Sequence, residues 1–138
     1  MKRLSKIAFG LAMFVLALAP LNVQAEAAYA NTDWDNLQKQ LITSLESPVE
    51  SIQVSAMQHI VFFSTNFAEN VNFRSSTDTL MRIYTDHEDE RMRVLALQAL
   101  NAVGGYIIME QLADFVETES SERVRKLTNA VLANYYRA

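Results

Sequence analysis

Residues 86–118 decide the fold, and they read DHEDERMRVLALQALNAVGGYIIMEQLADFVET. An acidic start precedes apolar residues at helical spacing, and Gly104 and Gly105 then separate this segment from a second amphipathic stretch. Acidic residues are typical of helix N-termini, and glycine is typical of the position after the last helical turn. The stretch therefore predicts a helical hairpin, with helices over about 89–103 and 106–118.

A related pattern recurs along the chain at the spacing of a helical repeat. The block Ile52 to Met57 aligns with Met92 to Leu97, which begins 40 positions later. The block Val124 to Leu127 aligns with Met92 to Leu95 at an offset of 32 positions, and each block follows a polar, acidic turn. A helical pair that recurs every 30 to 40 residues or so is typical of an α-solenoid, whose units pack only on their neighbours.

The rest of the chain completes an all-α prediction of about six helices. Three amphipathic stripes predict helices over about 33–46, 76–85 and 121–136. A further helix is predicted to open at Ser47, which would cap it, with Pro48 in the first helical position. We expect its inner face to hold four residues: Ile52, Ala56, His59 and Phe63. In the last helix we expect Val124, Leu127, Val131, Leu132 and Tyr135 to be buried.

The segment Asp86 to Thr118 resembles a short HEAT repeat. The residues that carry the likeness stand in the family's order, from acidic turn to glycine corner to second helix: Asp86, Met92-Arg93, Ala96, Ala99-Leu100, Gly104-Gly105, Leu112 and Phe115. The resemblance implies a short α-solenoid of HEAT-like helical hairpins over 33–138, in which the second helix of each hairpin lines the partner-binding face. It also implies that Arg93 and Arg125 tie neighbouring repeats together through the acidic turns.

The N-terminus predicts export. Three basic residues within the first six precede an uncharged run of 13 residues, which is shorter than the roughly 20 residues that span a bilayer. The small-residue pattern that ends at Ala25 predicts a signal peptide over 1–25, although cleavage after Ala30 stays open. Residues 26–32 are then a flexible leader, and 33–138 is the folded domain. This predicts a periplasmic or secreted protein with no membrane attachment after cleavage.

The charge balance argues against nucleic acid as the partner. Of 12 Lys and Arg and 16 Asp and Glu, three basic residues lie in the signal, which leaves 9 against 16 and a net charge of about −7. Such acidity argues against a nucleic-acid binder, whose affinity depends on a basic face.

Because the chain has no cysteine, it has no disulfide, thiolate metal site or cysteine nucleophile.

Two charged faces are candidate partner-binding surfaces. Glu110, Asp114 and Glu117 lie at i, i+4 and i+7 opposite the apolar stripe of the helix at 106–118, where they would meet a basic partner. The alternative is an ordinary solvated face. Arg82, from the helix at 76–85, is a further candidate for this partner-binding set. A second face holds three basic residues of the last helix: Arg123, Lys126 and Arg137. Cations near a helix C-terminus are favourable in themselves.

The sequence predicts no catalytic, cofactor-binding or metal-ligating residues. The pair His87-Glu88 is similar to the His-Glu ligands of helical-repeat iron hydroxylases, but those sites need several such pairs and this chain has one. His59 lies on an apolar stripe, where a hydrogen-bonded core histidine is commoner than a ligand. No serine lies in a Gly-x-Ser-x-Gly turn.

The sequence thus predicts an exported, non-catalytic HEAT-repeat module that binds another protein of the cell envelope, without a cofactor. The alternative is a small enzyme or ligand-binding accessory protein with its site in the solenoid groove. A deep pocket that places His59, Tyr84 or His87 beside carboxylates would favour that alternative.

Overall fold

The structure is a computed structural model, and it describes residues 27–138. The predicted signal peptide lies outside these residues. The chain divides into two units, with the boundary between Asp33 and Trp34. In the described part of the first unit, residues 27–29 form a helical turn, and the Thr32 N–H donates to the Tyr29 carbonyl at 3.1 Å.

Six α-helices make up the second unit, and residues 27–138 contain no strand. In chain order they are α1 (Trp34–Leu45), α2 (Glu50–Asn66), α3 (Thr77–Asp86), α4 (Glu90–Val103), α5 (Tyr106–Val116) and α6 (Glu122–Arg137), with a 3-10 helix at Arg74–Ser76. The all-α prediction is confirmed. Over the part of the chain that is described, every helix is too short or too polar to cross a membrane.

The helices pack in pairs along the chain. Helix α1 packs on α2, α3 on α4 and α5 on α6, while the even-numbered helices contact one another in the order α2, α4, α6. Helix α4 therefore has neighbours on several sides, and its buried residues cover more than one stripe: Met92, Ala96, Leu97, Ala99 and Leu100. Leu97 lies off the main stripe and is still only 2% exposed. The wide apolar face of α4 is explained by this central position.

The start of α2 differs from the prediction. The helix begins at Glu50, its N-cap is Val49, and Val49 makes no side-chain capping bond. The prediction that Ser47 caps this helix is therefore wrong. The Ser47 hydroxyl instead accepts a hydrogen bond from the Val49 N–H at 3.1 Å, and this bond closes the turn before the helix. Pro48 lies in that turn.

The inner face of α2 is also partly different. Ala56 and Phe63 are buried as expected, but Ile52 is 43% exposed and His59 is partly exposed. Met57 and Ile60 are buried in their place. Residues 56–63 read AMQHIVFF, and the apolar residues at positions 56, 57 and 60–63 lie on several sides of the helix, so no single stripe identifies the buried face.

Glycine ends α4 and leads directly into α5. Asp89 caps the start of α4 by accepting a hydrogen bond from the Arg91 N–H at 2.8 Å. At the other end, Gly104 has φ 68° and Gly105 has φ 109°. A side chain at either position would be strained, so the two glycines permit the sharp corner that the sequence predicts.

Tyr84 connects three helices in the core. Its hydroxyl donates to the Thr128 hydroxyl of α6 at 2.7 Å, since Thr128 itself donates to the Val124 carbonyl. Its ring packs against Phe115 of α5, with the centroids 5.2 Å apart. Thr128 thus occupies an interior position of α6.

The inner face of α6 differs from the prediction because Thr128 is part of it. Val124 is buried as expected, and Val131 and Leu132 are partly exposed. Leu127 is 38% exposed and Tyr135 is 37% exposed, so both were wrongly predicted to be buried.

Candidate partner-binding surface

A buried ion pair fixes the turn between α5 and α6 against α4. Glu119, in that turn, is 5% exposed, and both its carboxylate oxygens accept hydrogen bonds from the Arg93 guanidinium of α4. Burial alone would raise the pKa of Glu119, but the hydrogen bonds from Arg93 and from the Ser121 N–H lower it below its ordinary value. The expected contact of Arg93 with an acidic turn is confirmed. Arg125 contacts the same turn, donating to the Glu119 carbonyl at 3.2 Å.

The predicted acidic row lies on the outside of α5. Glu110 and Asp114 are exposed on the helix, and Glu117 is exposed at its C-cap. Within residues 27–138, no Lys, Arg or His nitrogen lies within ion-pair distance of these three carboxylates. The Tyr106 hydroxyl, one turn before Glu110, donates a hydrogen bond to the Glu110 carboxylate. The acidic row is therefore a solvated stripe with a tyrosine at one end.

An exposed apolar patch, which we call the tyrosine patch, lies at that end of α5. It consists of Tyr106 and Ile107 of α5 with Tyr135 and Tyr136 of α6. Ile107 is 71% exposed, and Tyr106 and Tyr136 are each 58% exposed. The rings of Tyr135 and Tyr136 meet edge to face at 5.2 Å. Exposed residues of this size that cluster on one surface are typical of interaction sites.

The Tyr106 hydroxyl is affected by its neighbours on this surface. The pKa of Tyr106 is raised chiefly by its hydrogen bond to the Glu110 carboxylate, with smaller contributions from that charge and from Tyr136 and Tyr135. Tyr106 therefore lies near both the acidic row and the two C-terminal tyrosines. The patch was not predicted from the sequence, because Tyr135 was expected to be buried. The available signal was Ile107, an apolar residue off the buried stripe of its helix.

A groove continues from the tyrosine patch toward the start of α3. It encloses about 380 Å³ between the N-terminal ends of α3 and α5. The α3 side is formed by Arg74, Thr77 and Asp78. The α5 side is formed by residues 104–108 and Gln111, so Tyr106 and Ile107 belong both to the patch and to the groove.

Arg82, the fourth residue of the predicted set, lies on α3 and pairs with α1. Its guanidinium is 3.3 Å from the Glu46 carboxylate just after α1, and both side chains are more than half exposed. It also donates to the Thr79 hydroxyl at 3.3 Å. This exposed pair links α3 to α1, and pairs of this kind contribute at most about 1 kcal/mol.

Two of the three residues of the predicted basic face have acidic neighbours. Arg123 is 3.7 Å from the Glu90 carboxylate, and Lys126 is 2.8 Å from Glu122, one turn earlier on α6. Arg137 lines a second groove, of about 470 Å³, between α4 and α6. The positive charge of this face is therefore partly balanced.

The two histidines make local contacts, whereas Tyr84 makes the core contacts described above. His59 Nδ1 lies 2.7 Å from the Ser55 carbonyl, one turn earlier on α2. His87 Nδ1 accepts a hydrogen bond from the Asp89 N–H at 3.0 Å, in the turn before α4. None of the three residues lines the groove at α3 and α5 or the groove at α4 and α6. Among residues 27–138, no group of three or more His, Asp or Glu is placed to hold a metal ion.

No protein-family model matches the chain, and no curated protein or solved structure matches it either.

Proposed function

We propose that this chain is an exported, non-catalytic helical-repeat protein of the cell envelope, periplasmic or secreted, that binds another envelope protein through α5. The proposal includes a HEAT-like solenoid arrangement. It is supported by the pairwise packing of successive helices and by the contacts of α2, α4 and α6 in chain order. It is also supported by Arg93, which joins α4 to the turn before α6 where the family's arginine would do so.

One observation carries the proposal. On α5, the exposed tyrosine patch continues into a row of carboxylates that have no ion-pair partner among residues 27–138. Protein interfaces combine a tyrosine-rich apolar centre with a polar rim, and charge at the rim governs association and specificity. The helix that carries both features is held by core contacts at Ile108, Met109 and Leu112, so the surface is presented on a rigid element.

The proposal is tested by affinity purification of the mature protein from envelope fractions. The charge-reversed variant carries Glu110→Lys, Asp114→Lys and Glu117→Lys. We expect the protein recovered with the wild type to be lost with this variant, while the circular dichroism spectrum stays unchanged. Exposed substitutions cost only about 0.5 kcal/mol each, so the fold should survive.

The matched control reverses charge on α6, with Arg123→Glu and Lys126→Glu. Both residues are exposed, and neither lies on α5. Recovery should be retained with this variant. Loss of recovery in the α6 variant alone would contradict binding through α5 and would assign it to the basic face.

A further inference from the structure

We propose that the surface of α5 binds one class of partner segment: a basic amphipathic helix that places an apolar side chain in the groove between α3 and α5 and its basic side chains along the acidic row. This inference rests on the proposed function and specifies the chemistry of the partner. The site consists of the groove, the tyrosine patch and the acidic row, and α5 contributes residues to all three.

The groove supplies the anchor point. Its volume of about 380 Å³ accommodates a large aliphatic or aromatic side chain. Ile107 lies on its α5 side and is 71% exposed, so an inserted apolar side chain would remove much of that surface from water. Tyr106 lies beside it and has an apolar ring and a polar hydroxyl. Interface hot spots have this character, because a buried anchor surrounded by tyrosines excludes water from the contact.

The acidic row determines how the partner helix is oriented and how its basic residues are spaced. Tyr106, Glu110, Asp114 and Glu117 follow one another at intervals of three or four residues, so they lie on one face of the helix. The 11 residue steps from Tyr106 to Glu117 cover about 16 Å along the helix axis. A partner helix that lies along α5 would match this length with basic residues on three successive turns. The hydrogen bond from Tyr106 to Glu110 holds the first carboxylate beside the anchor point.

Charge also decides between a basic partner and a second copy of this chain. If a second copy docked α5 against α5, six uncompensated carboxylates would face one another. Like charges across an interface cost several kcal/mol, whereas basic side chains would be attracted to the same row. The observations therefore favour a basic protein segment as the occupant.

The test uses synthetic helical peptides of about 14 residues, or four turns, and the full mature protein. The first peptide carries a leucine near one end. Its three lysines begin one helical turn after the leucine and are spaced at i, i+4 and i+7. A second peptide replaces the lysines with glutamate, and a third replaces the leucine with serine. We expect fluorescence anisotropy to give the first peptide an affinity at least about tenfold above both others, with a strong salt dependence.

Variants then locate the binding site. Ile107→Ser should weaken binding of the first peptide several-fold at all salt concentrations. The pair Glu110→Gln and Asp114→Asn should weaken it mainly at low salt. The control Gln58→Ser, at an exposed position on α2, should have no effect. Thermal unfolding of each variant verifies that the fold is intact.

Three outcomes would overturn the inference. In the first, the lysine and glutamate peptides bind equally well. In the second, Ile107→Ser does not change binding of the first peptide. In the third, analytical sedimentation shows that the protein is a dimer and that Ile107→Ser dissociates it. If the peptides fail while the envelope partner is still lost with the charge-reversed variant, protein binding through α5 stands and only the basic-helix chemistry fails. If that partner is unaffected as well, the proposed function itself is contradicted.

Discussion

Arg93 and Glu119 form the contact that joins α4 to the turn between α5 and α6. From α4, the Arg93 guanidinium binds the Glu119 carboxylate in the turn between α5 and α6, and its Nε also donates to the Tyr84 carbonyl near the end of α3 at 2.7 Å. Only 13% of the Arg93 side chain and 2% of the Glu119 side chain are exposed. One guanidinium thus fixes α3 and the last hairpin relative to α4.

Replacing Arg93 should strongly destabilise the fold. Arg93→Met leaves the buried Glu119 carboxylate without its cation, and removing one partner of a buried pair typically costs about 3 to 5 kcal/mol. Urea denaturation of the mature protein gives the free energy of unfolding. The matched control is Arg91→Met on the same helix, because the Arg91 side chain is 82% exposed and pairs with Asp89 at the surface. The control should change stability by less than about 1 kcal/mol, and equal losses in the two variants would contradict the structure.

The same carboxylate predicts a loss of stability in acid. The pKa of Glu119 is lower in the folded protein than its ordinary value of 4.5, so the stabilisation is present above that value and is lost as the pH falls through the folded pKa. Asp89, whose pKa is lowered to about 2 mainly by hydrogen bonds from Arg91, adds to the trend. Urea denaturation between pH 7 and pH 2 should show a smaller acid dependence in Glu119→Gln than in the wild type. An unchanged slope in that variant would contradict the assignment.

Truncating the centre of α4 should create a cavity. Leu100 is 0% exposed, and Leu100→Ala should cost about 2 to 5 kcal/mol, the range for a buried leucine whose surroundings relax only in part. Leu127→Ala on α6 is the comparison, since Leu127 is 38% exposed and should cost less than about 1.5 kcal/mol. Denaturant midpoints compare the two. Leu100→Ala with no more effect than Leu127→Ala would mean that α4 is not the central helix.

The mature protein should begin at Glu26. Val23 and Ala25 occupy the small positions that signal peptidase reads, and Ala30 offers a second site of the same kind. Intact-mass spectrometry of the exported protein distinguishes the two sites from an uncleaved chain. A mature pool that begins at Met1 would contradict the predicted signal peptide.

Much of the helical architecture could be predicted from the sequence, because its determinants are local. Gly104 and Gly105 mark a corner whose backbone conformation would be strained for other residues. The amphipathic stripe of α3 identifies Leu80, Ile83 and Tyr84 as buried. The inner face of α2 could not be predicted in full, because its run of apolar residues offers several faces and only the packing against α1 and α4 selects Met57 and Ile60.

The candidate surface was predicted only in part, for a different reason. The acidic row follows from helical spacing alone, so Glu110 and Asp114 were identified. The tyrosine patch depends on where α6 ends relative to α5, which no local pattern records. The buried position of Thr128 was also not predicted, because Thr128 is polar. Its burial is explained by its hydrogen bond to the Tyr84 hydroxyl, which belongs to another helix.

Binding through α5 is tested most directly by photo-cross-linking in living cells that export the protein. A photoreactive amino acid is placed at Ile107 in the tyrosine patch, and separately at Gln58, which is exposed on α2. We predict one discrete cross-linked product of higher mass from position 107, absent from position 58 and lost when Glu110→Lys, Asp114→Lys and Glu117→Lys are combined with the probe. A product of the same mass from position 58 would contradict binding through α5. The absence of a product from position 107, when a probe on another surface gives one, would contradict it as well.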